Sequence, residues 1–341
     1  MKKIKSSNSS SFITSLGGLV LVIVVLGLLT KGAIFSGGNL QTIMNQSYSL
    51  IILSVGVTFI IAHGGIDFSC ASVAAVAAMV IGLLNQAGCP LLLAGIVGVI
   101  TAVVLSSITG ILTVLFNVPA FIASLCMMNI GRGLVVMTIA NNAPQLVGDY
   151  SLFRSWGLKL AVLVVLLVIA YILMSHTLVG RYNKAIGANP IAASQGGVAV
   201  KKYRLIAYAF SGLCVGVAAF FLLCRNPKVT TGFANGLQLE VLVAVMLGGM
   251  APKGGYRASV RCGIVGSVIL GFLSNGLVIL GVNDLLIEGI EGIVFLITVL
   301  IFYAKDKDSV FEWFRVRKQE KANLAAAAAV QENQPAESAE K

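Results

Sequence analysis

The sequence predicts an all-α polytopic membrane protein of about ten transmembrane helices, and three observations carry that reading. Charge is scarce: charged residues make up 11% of the 341-residue chain and hydrophobic residues 57%, against roughly 25% and 45–50% in soluble domains. Charge is also uneven. Between Lys5 and Asp149 only Lys31, Asp67 and Arg132 are formally charged, whereas Arg181, Lys184, Lys201, Lys202 and Arg204 crowd one short stretch. Finally, the apolar residues fall into blocks near the ~20 residues that cross a bilayer.

Residues 1–11 carry Lys2, Lys3 and Lys5 ahead of an apolar stretch from Phe12 to about Thr30. That outline resembles a signal peptide, but its length suits a span and no small-residue cleavage site stands out, so it reads as the first transmembrane helix. Further spans are expected near 43–62, 68–86, 91–115, 119–140, 157–177, 204–224, 237–249, 260–281 and 285–303. Orientation follows from the basic loops. With a cytoplasmic N-terminus, the loop 178–203, the loop 250–259 with Lys253 and Arg257, and the tail with Lys305, Lys307, Arg315, Arg317 and Lys318 all fall inside. Both termini are then cytoplasmic, with one transmembrane domain over 12–303. The tail 304–341 runs Ala-rich, then Gln, Glu, Asn, Pro and Ser, and is expected to be largely disordered because it cannot bury enough apolar surface. Pro90, Pro119 and Pro144 sit at or near span boundaries, where a missing N–H costs least.

Composition also excludes functions. The net charge of +11 does not read as nucleic-acid binding, because the basic residues flank hydrophobic blocks and form no basic-aromatic face. Cys70, Cys89, Cys126, Cys214, Cys224 and Cys262 are scattered without metal-ligand or redox spacing, which makes them small apolar packing residues. His63 and His176 stand alone. No metal or catalytic cluster is expected, and no Gly-x-x-x-x-Gly-Lys-Ser/Thr motif occurs, so nucleotide hydrolysis would have to come from a partner.

Two places break the apolar pattern alike. One run ends in His63-Gly64-Gly65-Ile66-Asp67-Phe68-Ser69 before a new run near Ser72; another ends in Gly248-Gly249, passes Lys253-Gly254-Gly255 and restarts at Ser259. This internal echo is either a pair of interrupted helices, a recurring pointer to transport pathways, or two ordinary glycine-rich loops. Asp67 either caps the following helix, with Ser69 beside it, or contacts a solute directly. Arg132 lies inside a span-like segment, where its cation needs a partner, a cavity or the headgroup region. Glu288 and Glu291 share one helix face and either share a proton or cation or sit at the outer interface beside Asn283 and Asp284. Asn275 and Ser274 are suited to a sugar hydroxyl or to a neighbouring helix. Asp67, Phe68, Ser69, Phe121, Asn129, Arg132 and Asn275 are the expected pathway residues, as polar or aromatic groups within or beside the spans.

The basic loop holds Gly187-Ala188-Asn189-Pro190-Ile191-Ala192-Ala193-Ser194-Gln195-Gly196-Gly197, then Lys201-Lys202-Tyr203-Arg204. Small residues followed by glycine predict a short helix whose alanine pair offers a flat face to a soluble partner. This segment resembles the coupling loop of bacterial ABC importer permeases for ribose, galactose, xylose and related monosaccharides. The resemblance covers about residues 40–303: Gly64-Gly65-Ile66-Asp67-Phe68-Ser69 is similar to the family's Gly-Gly-Ile-Asp-Leu-Ser. Val118-Pro119-Ala120-Phe121-Ile122-Ala123-Ser124-Leu125 with Met128 and Arg132-Gly133, Leu239-Glu240 with Val245-Met246-Leu247-Gly248-Gly249, Gly254-Gly255, and Leu273-Ser274-Asn275-Gly276-Leu277 follow in the family's order. Pro190 stands where many relatives carry Glu, Tyr256-Arg257-Ala258 lengthens the glycine loop, and Glu291 replaces a residue more often Lys or Gln.

The resemblance implies the ABC importer permease fold and a subunit that binds no cofactor itself. It implies a second permease copy or homologous permease in the lipid bilayer, a separate ABC ATPase subunit holding ATP and Mg, and an extracytoplasmic solute-binding protein. Coupling would pass through Asn189, Ala192, Ala193 and Gly197. Neighbouring families of similar build carry nucleosides, branched-chain amino acids or a furanosyl signalling molecule. The residues alone leave open an ion-coupled secondary transporter using Asp67, Glu288 and Glu291, or a channel.

Overall fold

The computed structural model describes residues 2–305, and among them the only extended pairing is an isolated antiparallel bridge between Gln145 and Lys228. From residue 306 the expected disordered tail lies outside the described residues. The helices are α1 (Lys2–Leu29), α2 (Gly37–Ala62), α3 (Cys70–Gln86), α4 (Leu91–Val114), α5 (Ala120–Asn141), α6 (Ser151–Arg154), α7 (Trp156–His176), α8 (Leu178–Ala188), α9 (Pro190–Gln195), α10 (Val200–Arg225), α11 (Leu237–Leu247), α12 (Val260–Ile279) and α13 (Asp284–Lys305). Among the described residues, those up to Phe295 form one compact unit, and those from Leu296 fall outside it. Every candidate site residue lies in that unit.

A helix occupies each of the ten expected positions, and among the described residues six of them, α2, α4, α5, α7, α10 and α12, are long and apolar enough to cross a membrane. Helix α11 has 11 residues, a rise of about 16 Å against a hydrocarbon core of ~30 Å. It therefore stops short of the crossing expected for 237–249, because Gly248 caps it and Gly249 turns the chain at φ +98°. The helix starts obey local chemistry. Pro90 and Pro119 precede α4 and α5 with extended backbone, and the residue ahead of a helix needs no intrahelical donor.

The bundle is organised around α2, whose residues from Ser47 to Ala62 are all buried. It packs against α10, α12 and α11, while α3 wedges among α4, α10 and α5. Helices α4 and α7 are peripheral and turn Leu92, Ile96, Ile100, Val164, Val165 and Val168 outward, as lipid-facing surfaces do. Helix α10 closes on α4 through Gly212 and Gly216, where a Cβ would come within 2.7 Å of the Val103 Cα and 2.6 Å of the Val99 Cα. Small residues four apart let two backbones approach this closely.

Loop contacts sort the molecule into two ends. At one, the segments 61–64, 187–188 and 253–255 meet. At the other, Leu146 N–H donates to the Pro227 carbonyl at 2.8 Å and Val229 N–H to the Pro144 carbonyl at 2.8 Å.

Candidate functional site

The chain leaves α2 through a left-handed Gly64 (φ +83°), with Gly64 N–H donating to Ile61 O and Gly65 N–H to Ile60 O. These bonds close the last helical turn and aim residues 66–69 back into the bundle. Asp67 is fully buried. Its Oδ1 accepts from Ser69 N–H at 2.7 Å and from Ser69 Oγ at 2.6 Å, while Oδ2 has no hydrogen-bond partner among the described residues. The carboxylate thus shapes a turn into α3 from two residues before the helix. Phe68 stacks edge-on against Phe121 at 5.5 Å and 84°. Ser124 Oγ donates to Phe121 O at 3.0 Å and reaches Ile66 O at 3.4 Å. Of the expected pathway residues, the structure joins Asp67 with Ser69 and Phe68 with Phe121.

The others lie apart. Arg132 is half-buried, and its cation has main-chain partners: Nη1 donates to Phe233 O at 2.7 Å and Nη2 to Ala234 O at 2.9 Å. Its partner is the main chain ahead of α11, a charge-assisted pair that holds that re-entering segment. Asn129 is exposed and donates to Leu125 O in its own helix. Asn275 is 6% exposed, within α12, with Oδ1 lacking a partner. Beside it Ser274 Oγ donates to Glu291 Oε1 at 2.6 Å, the helix–helix role. Glu291 is buried whereas Glu288 is exposed, so their surroundings differ despite the three-residue spacing. Among the described residues no group of His, Cys, Asp or Glu is arranged to hold a metal.

The segment that Arg132 holds forms one wall of a polar cavity of about 370 Å³, lined also by Gln46, Ser49, Thr230, Asn235, Arg225 and Glu240. It opens at the end that carries the Gln145–Lys228 bridge. Sequence reasoning passed over Gln46, Ser49 and Arg225; the available signal was polar residues within the otherwise apolar α2 and a cation at the last position of α10.

The basic loop folds into α8 and α9. Asn189 caps α9, its Oδ1 accepting from Ile191 N–H and Ala192 N–H at 3.0 Å each, and Pro190 occupies the first helical position. Proline is well suited there, since the N–H it lacks has no intrahelical acceptor at that position. Gly196 caps the other end, and Gly197 takes φ +79°. The expected flat alanine face is corrected: Ala192 is exposed but Ala193 is buried, because successive residues on a helix point about 100° apart. The outward apolar residue is Ile191, 70% exposed.

Where α8 ends, three backbones touch. Gly255 N–H donates to Ala62 O at 3.0 Å. A Cβ at Gly187 would collide with that same carbonyl and come within 2.7 Å of Gly255 N, and one at Gly254 (φ +68°) would collide with Ile61 O. The two glycine loops that echo one another in sequence therefore pack on each other, with the end of α8 between them.

A bundle of buried central helices, a half-length re-entering helix, a polar cavity at one end and an exposed capped helix at the other defines a polytopic membrane permease subunit. The family model of the branched-chain amino acid transport system permease component matches residues 39–302, and the chain belongs to that family. It is 31% identical over 302 residues to the ribose import permease protein RbsC of Escherichia coli K12, covering 84% of this chain and 92% of the relative. The Bacillus subtilis ribose import permease protein RbsC is 29% identical over 292 residues, covering 83% of this chain and 90% of that one. The galactofuranose transporter permease protein YtfT of E. coli K12 is 27% identical over 286 residues, covering 80% and 81%.

Proposed function

We propose that this chain is the membrane-spanning subunit of an ATP-binding-cassette importer for a monosaccharide of the ribose kind. The observation that carries the reading is the 31% identity extending over 92% of a ribose import permease. The chain works in the bacterial inner membrane with both termini cytoplasmic, beside a second permease copy. It has no ATPase site of its own; ATP and Mg belong to a separate ATPase subunit seated on α9, and an extracytoplasmic binding protein delivers the sugar. Ile191 and Ala192 are the groups that the ATPase would grip. Displacement of α8 is then felt at Ala62 and Gly255 through main-chain contact, and from Ala62 it reaches the Phe68–Phe121 stack at the head of α5. The polar cavity held by Arg132 receives the sugar, whose hydroxyls match Gln46, Ser49, Asn235 and Glu240.

The test reconstitutes the full chain in vesicles with an ATPase subunit and a binding protein and follows labelled ribose. Uptake that needs both partners and ATP is the expected result. Uptake by the chain alone on a proton or sodium gradient overturns it. Ile191→Asp should lower ATP-driven uptake about tenfold or more while leaving stability within about 0.5 kcal/mol, since the residue is exposed. Wild-type uptake by that variant would remove α9 from the coupling path.

A further inference from the structure

At the end where 61–64, 187–188 and 253–255 meet lies a second cavity, about 290 Å³, whose wall includes His63, Thr113, Asn117, Ala120 and Arg204. His63 is 3% exposed, yet its Nε2 is buried without a hydrogen-bond partner. The Nε of Arg204 is likewise buried and unpartnered. A permanent guanidinium donor and an imidazole nitrogen that donates when it carries the proton thus border one space, and among the described residues neither has a partner. A buried donor left unmade costs about 1–3 kcal/mol, and more for a charged group.

Helix α5 begins at the same wall. Its first intrahelical bond is Ala123 N–H to Pro119 O, so the N–H groups of the preceding turn have no acceptor within the helix and the positive end of the dipole sits there. Charge is unbalanced nearby. Asp67, the nearest acidic residue along the chain, has one carboxylate oxygen committed to Ser69, and Glu240 and Glu288 lie together beside Gly236. A guanidinium, an imidazole whose Nε2 donates when it carries the ring proton, and a helix N-terminus bordering one pocket form a donor set for an oxyanion with several acceptor oxygens. A neutral sugar would leave the guanidinium charge uncompensated.

We propose that this cavity binds a phosphate-type oxyanion, held by His63, Arg204 and the start of α5. Either a free phosphate or the headgroup of an anionic lipid supplies that chemistry. The test uses the full-length chain in phosphatidylcholine nanodiscs titrated with inorganic phosphate at constant ionic strength, and in nanodiscs that also contain phosphatidylglycerol, read by thermal unfolding and by native mass spectrometry. Arg204→Gln removes the cation. Asn117→Asp places a carboxylate at the mouth on an exposed residue whose left-handed backbone (φ +55°) suits Asp as well as Asn, so this second variant folds even if the first does not.

A saturating phosphate stabilisation, weakened about tenfold or more by either variant, supports the site with free phosphate as occupant. No phosphate response but retention of phosphatidylglycerol, lost in the variants, supports it with lipid as occupant. Binding in neither arm overturns the proposal, as does binding that Asn117→Asp leaves unchanged.

Discussion

The two ends of the bundle are held together by different means. At the end that carries α9, the contact among 61–62, 187 and 254–255 is main chain against main chain, with one hydrogen bond from Gly255 to Ala62 and no room for a methyl group. At the opposite end, side chains reach across to fasten helices and loops: Arg132 to Phe233 and Ala234, Asn85 Oδ1 accepting from Val147 N–H at 2.7 Å, and Lys159 Nζ donating to Asn45 Oδ1 at 2.8 Å. A fastening built from side chains can lose one bond and keep the rest. A contact built from bare backbone cannot accept one added atom, because the carbonyls it meets belong to helix ends that cannot step aside.

That difference orders the expected effects. Gly187→Ala should be the most damaging single change, about 3 kcal/mol or more, since its Cβ must displace the Ala62 carbonyl. Wild-type thermal stability in detergent for that variant would show the two glycine loops to be loosely apposed. Arg132→Met, which keeps the bulk and deletes both charge-assisted bonds, should cost about 2–3 kcal/mol and, on the proposed function, lower affinity for the sugar by loosening the cavity wall. An effect on stability with unchanged affinity would separate the wall from the solute. Ser274→Ala removes one interhelical bond to Glu291, for which about 0.6–1.7 kcal/mol is expected in a membrane bundle. Smallest is the titration of Asp149. Its bond from Ser151 N–H holds the carboxyl below its usual pKa, so its contribution is complete above the ordinary carboxylate value and fades only as pH falls through the lowered one. The melting temperature of Asp149→Asn relative to wild type should therefore stay constant between about pH 5 and pH 8.

Much of this was legible from composition and order alone. The long apolar runs placed the ten expected helices, though not α6 or α8, because a membrane leaves backbone groups no alternative partner, and small residues followed by glycine announced α9. What escaped reading depended on neighbours distant in sequence. Arg132 finds carbonyls 101 and 102 residues away, and nothing local distinguishes that outcome from a side chain reaching the headgroups. Gly187 is one of 37 glycines, and its importance comes from what approaches it. The facing of Ala192 and Ala193 is set by how a six-residue helix lies on the bundle, which a repeat of identical small residues does not encode.

The burial of Ala193 beneath an exposed Ala192 also determines how this loop has to be probed. Systematic replacement by alanine would be silent at both positions, since each already carries that residue. Only substitutions that enlarge the side chain can distinguish them: at 192 they would hinder a visiting protein, and at 193 they would lift the short helix off its seat.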